Sequence, residues 1–316
     1  MSCEGFLQVA LAKGVGDVAI KRIIAFLHDK GMSWNDFCCG ETVLNEFFVG
    51  RKEIVQAVHA QNENAKRMAE KLCNKDIDVI FYLDARYPEK LKNCLGDNCP
   101  AFLFYKGDIE ILEKESVGFC GSRNVSTKGI SIINDCVEQL VAKDIIIVSG
   151  YAAGADLAAH RSAIFHSGKT VFVLAEGILR SSIKSEVKEL LTDRNHVFIS
   201  RYLPELTWNV GNAMKRNGVI IGLSDAMILV ESGKTGGTFA AGNETLAVHR
   251  PLFVIDYAQP EVSAEANPYF ISNGGMPIRK KAGIPNLERV FSTIHTNNSI
   301  SESRHSAGEQ LRLNYY

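Results

Sequence analysis

The sequence holds 316 residues, enough for one large α/β domain with a small companion module, or for two domains. It is 46% hydrophobic and 22% charged, and 35 Lys and Arg stand against 36 Asp and Glu. The resulting net charge of −1 excludes a polybasic nucleic-acid binder, so any anion site must be a local concentration of charge and backbone donors.

Residues 1–75 read as a small helical module. Phe6, Leu7, Ala10 and Leu11 form one apolar face, Lys13-Gly14-Val15-Gly16-Asp17 breaks it, and Val18, Ile20, Ile23, Ile24 and Leu27 resume it. This resembles a helix-hairpin-helix element of SAM-like type, whose turn amides would touch a nucleic-acid phosphate with help from Lys13, Lys21 and Arg22. The same glycines equally suit a plain αα-hairpin. Trp34, Phe37, Leu44, Phe47, Phe48 and Ile54 supply the module's core, and residues 51–72 form an amphipathic helix with a break near Asn62 or Asn64.

Residues 76–112 form a lead-in with strands at 78–83 and 100–107. From Val117 the pattern alternates: strands at 117–120, 145–148, 170–174, 197–199, 226–230 and 252–255 are separated by amphipathic segments at 127–140, 155–165, 183–191, 212–221 and 238–248. Short β-branched runs between helices predict βαβ units. Residues 113–285 are therefore expected to form an α/β, Rossmann-like, doubly wound and mainly parallel sheet. Residues 286–316 lose the pattern and are expected to be a flexible tail. No run approaches the roughly 20 apolar residues of a membrane span, and no basic stretch with an apolar core opens the chain, so neither a membrane helix nor a signal peptide is expected. The eight cysteines show neither a CxxC pair nor zinc-finger spacing, which suits reduced thiols in a cytoplasmic protein with no metal and no cofactor.

Ligands of an open parallel sheet sit beyond the carboxyl ends of its strands. Four such ends carry small residues: Gly121-Ser122-Arg123, Ser149-Gly150-Tyr151, Ala175-Glu176-Gly177, and the loop leading to Gly236-Gly237-Thr238. Helix N-termini there offer N–H donors to an anion, and Arg123 adds a forked cation. Lys215, Arg216 and Asn217 lie on a helix entering the same rim. The candidate phosphate contacts are thus Gly121, Ser122, Arg123, Ser149, Gly150, Tyr151, Lys215, Arg216, Asn217, Gly236, Gly237 and Thr238, with Tyr151 the aromatic placed to stack on a base. Asp156 and His160, four apart on one helix, read as structural partners ordering the loop.

At these residues the chain resembles the DNA-processing protein A (DprA/Smf) family. The resemblance rests on Tyr87-Pro88 with Leu91, residues 100–107, Gly121-Ser122-Arg123, Ser149-Gly150 through Asp156 with His160, Lys215-Arg216-Asn217 running to Gly222-Leu223-Ser224-Asp225, Val230-Glu231, and residues 267–275. It covers about residues 78–280 and implies an extended Rossmann-like domain that binds single-stranded DNA, forms a homodimer, and helps load a RecA-type recombinase during natural transformation. The chain departs from the family at Gly218, where an arginine is usual, at Thr235 to Ala240, and at Ile178 to Ser181, where a Tyr-Pro turn is usual. A second, more distant resemblance is to LOG-type nucleoside phosphate hydrolases, through Gly236-Gly237-Thr238 followed by Glu244. It implies an alternative: a nucleotide sensor or hydrolase needing Glu244 or Glu176. Gly233-Lys234-Thr235 is not a P-loop, because Ile228 stands where that motif needs its first glycine.

Overall fold

The computed structural model describes residues 3–295. Nine strands make one sheet: β1 Asp78–Phe81, β2 Phe102–Gly107, β3 Ser116–Cys120, β4 Ile146–Ser149, β5 Thr170–Val173, β6 His196–Ser200, β7 Ala226–Leu229, β8 Leu252–Ile255 and β9 Met276–Ile278. Their order is β1-β2-β6-β5-β4-β3-β7-β8-β9. The run from β6 to β9 is parallel, while β2 pairs antiparallel with both β6 and β1. The lead-in is therefore the antiparallel edge of the main sheet. The chain leaves β3 toward β4 on one side, and β7 lies on the other, so the winding reverses at β3 and opens a crevice beyond its end.

The helices up to residue 272 are α1 Glu4–Ala10, α2 Asp17–Lys30, α3 Trp34–Cys39, α4 Glu41–Phe47, α5 Lys52–Ala60, α6 Asn62–Cys73, α7 Glu89–Leu95, α8 Thr127–Val141, α9 Ala155–Phe165, α10 Ser185–Lys188, α11 Val210–Leu223, α12 Gly237–Ala247 and α13 Asn267–Ser272. Every residue of β3 to β8 is buried, as a sheet covered on both faces requires, which explains why these strands read as continuous apolar runs. Helix α8 shows how the sequence sets the layers. Ser126 caps it by accepting from the Gly129 amide at 2.9 Å, and Ile132, Ile133, Cys136, Val137 and Leu140 turn one stripe onto the sheet.

The helical module is fused to this sheet by a shared core. Phe6 is fully buried, its ring 4.9 Å from those of Phe81 and Phe102 and 5.2 Å from Trp34, all edge-on. Such pairs contribute about 0.5–1.5 kcal/mol each beyond the area they bury. Arg201 pairs with Asp17 at 3.1 Å, and the Lys21 ammonium donates to the Asp97 carbonyl at 2.8 Å. Lys21, expected to face a phosphate, is thus turned inward to the sheet domain; Lys13 and Arg22 remain exposed.

Two sequence expectations change. The helix expected over 183–191 is only the single turn α10, because Val187 alone finds a buried seat while Ile183 and Leu190 stay exposed. The described part of the stretch expected to be a flexible tail from residue 286 is ordered. Residues 288–295 are helical, and Leu287, Val290 and Ile294 pack into the core beside α8 and β9. Their i, i+3, i+7 spacing is too short a signal to stand out in the sequence. The rest of that expectation lies outside the described residues.

Candidate functional site

The site is built around a buried ion pair beneath the end of β4. Ser149 is fully buried and its hydroxyl donates to the Phe119 carbonyl at 2.7 Å, tying the ends of β3 and β4 together. Gly150 follows, and the Arg216 guanidinium from α11 lies directly against it. A methyl group built on Gly150 would sit 1.4 Å from Arg216 Nη1 and 2.4 Å from Asp156 Oδ2. Arg216 Nη1 lies 3.8 Å from Asp156 Oδ2 and donates to the Val173 carbonyl at 3.3 Å. Gly154 closes the turn with φ +77, a conformation glycine tolerates, and its Cα hydrogens face the carbonyls of Ser122 and Arg123. Burial pulls Arg216 below its usual range and pushes the Asp156 carboxyl up, as expected of two charges removed from water.

His160 clamps this turn from below. It is fully buried and stacked on Phe172 with ring centroids 4.0 Å apart. Its Nε2 lies 2.6 Å from the Gly150 carbonyl and its Nδ1 2.6 Å from the Thr170 hydroxyl. A carbonyl only accepts, so Nε2 carries the proton, while the Thr170 hydroxyl beside Nδ1 donates to the Ile147 carbonyl at 2.8 Å. Desolvation lowers the pKa of the ring to about 3, so it is neutral in the fold. Below the unfolded value of about 6.5 the unfolded chain takes up a proton that the folded chain does not, so acid favours unfolding. His160 should therefore cost about 1.4 kcal/mol per pH unit as pH falls from about 6.5 toward 3. Urea unfolding at pH 7, 6 and 5 should show this slope, and His160→Asn should flatten it. An unchanged slope in the variant would place the titration elsewhere.

Above the pair opens a cleft of about 440 Å³ lined by Arg123, Tyr151, Glu176, Arg180, Lys184, Trp208 and Arg216 with small neighbours. Four cations share this wall with one carboxylate, and Asp156 behind Arg216 still leaves an excess of two positive charges. Burial lowers the Lys184 pKa, with the nearby Arg123 charge a smaller contributor in the same direction. Arg216 Nε is buried and has no hydrogen-bond partner among the described residues. A buried guanidinium N–H left open beside a cationic cleft is a place for an anion's oxygen.

Eleven of the twelve expected contacts fall into three groups. Arg123, Tyr151 and Arg216 line the cleft. Gly121, Gly237, Thr238 and Asn217 meet at the crevice where the winding reverses. There Thr238 Oγ1 donates to the Gly121 carbonyl at 2.9 Å and Asn217 Nδ2 reaches the Gly237 carbonyl at 3.4 Å, with Gly236 exposed beside them. Ser122 accepts from the Asn124 amide at 3.0 Å, and Ser149 and Gly150 serve the framework just described. Lys215 is the outlier. One residue before Arg216, it points about 100° around α11 into a separate crevice of about 500 Å³ with Asp17, Lys21, Arg201, Gly218 and Glu244. Glu244 therefore lies in a different crevice from Arg123, whereas Glu176, the other carboxylate of the hydrolase alternative, lines the cleft with it.

Tyr151 is less free to stack than its sequence position suggests. Its ring packs edge-on against Phe172 and Phe198, the Lys184 ammonium lies 4.5 Å from its centroid, and its hydroxyl accepts from the Lys184 amide at 2.6 Å. The open aromatic is Trp208, 46% exposed, with the Arg123 guanidinium 5.9 Å from its ring. Sequence reasoning passed over both Lys184 and Trp208. The available signal for Trp208 was an aromatic in a polar loop directly before Asn209, which caps α11 by accepting from the Asn212 amide at 2.8 Å. Among the described residues no cluster of His, Cys, Asp or Glu could hold a metal ion, and no helix is long and apolar enough to cross a membrane.

Comparison with known proteins adds the following. A family model described as DNA recombination-mediator protein A matches residues 78–286. The DNA processing protein DprA of Bacillus subtilis (strain 168) is 30% identical over 183 residues, which cover 57% of this chain and 60% of that protein. DprA of Streptococcus pneumoniae (strain ATCC BAA-255 / R6) is 30% identical over 176 residues, 55% of this chain and 61% of that protein. The chain thus spans about three fifths of the length of the curated relatives it matches. The X-ray structure of DprA from Streptococcus pneumoniae superposes with a TM-score of 0.71 at 21% identity, over 88% of this chain and 95% of that one. DprA from Helicobacter pylori, solved for its single-stranded DNA binding mode, gives 0.57 at 20% identity over 71% and 96%. At these identities the structural likeness speaks for the fold.

Proposed function

This chain belongs to the DNA recombination-mediator protein A family, and on that premise we propose that its cationic cleft binds the backbone of single-stranded DNA. The observation that carries this is the convergence of Arg123, Lys184 and Arg216 on one cleft with a buried guanidinium N–H unpaired. The arrangement holds charge and donors but no nucleophile joined to a base, because His160 is spent on Gly150 and Thr170. It suits binding rather than bond making. Trp208 offers an open ring on which one unpaired base stacks, a contact that a duplex, with its bases already stacked, does not offer. The finer reading is a homodimer that presents the bound strand to a RecA-type recombinase. A pull-down of the recombinase with and without oligo-dT tests that step.

Arg123→Ala is the direct test of the cleft, since the Arg123 side chain is exposed, lies against the Trp208 ring, and forms no ion pair or hydrogen bond among the described residues. Oligo-dT affinity should fall about tenfold or more, and the log–log salt slope should flatten by about 0.7, the value for one phosphate on a single strand. Unchanged affinity and slope would remove Arg123 from the strand path. Release of free base from a nucleoside phosphate by the protein would instead favour the hydrolase reading.

A further inference from the structure

A second cavity, of about 300 Å³, adjoins the cleft. It is lined by Ile77, Leu174, Ile178, Ile183 and Phe198, with Lys75 and Lys106 beside them. Leu174, Ser181 and Ser182 line both cavities, so the two lie side by side at the loop that follows β5. Their chemistry differs. The cleft is polar and crowded with guanidinium and ammonium groups, whereas the second cavity has an apolar floor, two lysines and no carboxylate in its wall. Neither lysine forms an ion pair or side-chain hydrogen bond among the described residues.

We propose that this cavity is a second nucleotide subsite: it takes an unstacked base of the strand whose backbone lies in the cleft, with Lys75 and Lys106 on the flanking phosphates. This rests on the cleft reading and extends it. Three observations support the occupant. The first is adjacency, because the two cavities share Leu174, Ser181 and Ser182, and a polymer leaving the cleft over these residues reaches the second cavity. The second is charge: the chain as a whole carries −1, yet these two adjoining cavities hold six cations and one carboxylate in their walls. Such a stripe matches a polyanion and not a single phosphate group. The third is size and polarity. About 300 Å³ is the lower end of the 300–1,000 Å³ range of small-ligand sites, and an apolar floor with Ile183 43% exposed at its edge suits the face of a base. Lys75 comes from the turn after α6 and Lys106 from β2, so the subsite joins the helical module's last turn to the sheet's antiparallel edge.

The test is a length series of fluorescein-labelled oligo-dT, from two to twelve nucleotides, titrated into the full chain at several salt concentrations. Lys75→Ala/Lys106→Ala should bind the shortest retained oligonucleotide as the parent does. On long ones it should lose affinity on the order of tenfold at 0.1 M salt, with the salt slope flatter by about 1.4, which is two phosphates on a single strand. Ile183→Glu, which places a carboxylate at the cavity edge, should reproduce the length-dependent loss. Both substitutions are at solvent-accessible positions, and matching melting curves confirm that the fold is intact. If both variants follow the parent at every length and salt, the cavity is not on the strand's path and the proposal is overturned. Arg123→Ala separates the two readings, because it weakens all lengths if the cleft holds the strand, whatever Lys75 and Lys106 do.

Discussion

Gly150→Ala should abolish both stable folding of the strand-end turn and oligonucleotide binding. The added methyl would lie 1.4 Å from Arg216 Nη1, 2.3 Å from its Cζ and 2.4 Å from Asp156 Oδ2. None of these atoms can retreat cheaply. Arg216 is held among buried groups on α11, and Asp156 sits in the first turn of α9, whose His160 in turn grips the Gly150 carbonyl. Overpacking a core typically costs 1–3 kcal/mol. Here the displaced groups are charged and buried, so about 3 kcal/mol or more is expected. Urea unfolding measures the loss, and anisotropy with oligo-dT measures the binding. A variant that unfolds at the parent's urea midpoint and binds normally would mean that Arg216 does not occupy this position in solution.

Arg216→Met should destabilise the protein by about 3 kcal/mol and remove most strand binding. Methionine keeps the stem's packing but leaves the Asp156 carboxylate buried without its cation, and breaking a buried pair from one side costs about 3–5 kcal/mol. The lower end applies because burial already pushes the Asp156 carboxyl up, which lets it neutralise. The double variant Arg216→Met/Asp156→Asn should therefore recover part of the stability and none of the binding. That split distinguishes a guanidinium that only supports the fold from one that also meets the ligand. Recovery of oligo-dT binding in the double variant would show that Arg216 acts on the strand only through the fold.

The order and type of the main elements were legible because the sheet is covered on both faces. That condition makes β3 to β8 continuous apolar runs, and the intervening helices must turn one apolar stripe to the sheet, as α8 does. The Gly121-Ser122-Arg123 turn was legible for a local reason: a strand that ends in small residues before a capped helix exposes backbone donors wherever it occurs. The identity of the cleft's walls was not legible in this way. Lys215 and Arg216 are neighbours in sequence, and a helix separates neighbours by about 100°, so one enters the cleft and the other a different crevice. Ser149 and Gly150 read as phosphate hands, yet packing against Phe119 and Arg216 uses them for support. Lys184 and Trp208 reach the cleft from segments without a strand-end signature, and only the folded path of residues 174–210 brings them to it.

The sequence by itself therefore determined the layered α/β architecture and the strand ends where small residues meet helix N-termini, since both follow from local periodicity and local turn chemistry. The tertiary structure decided which cations share one cavity, that His160 is a clamp, that the helical module shares the sheet's core through Phe6, and that residues 288–295 are helical and seat Val290 and Ile294 in the core. Those outcomes depend on contacts between residues far apart in the chain, where burial and mutual distance, not residue type, set what each group does.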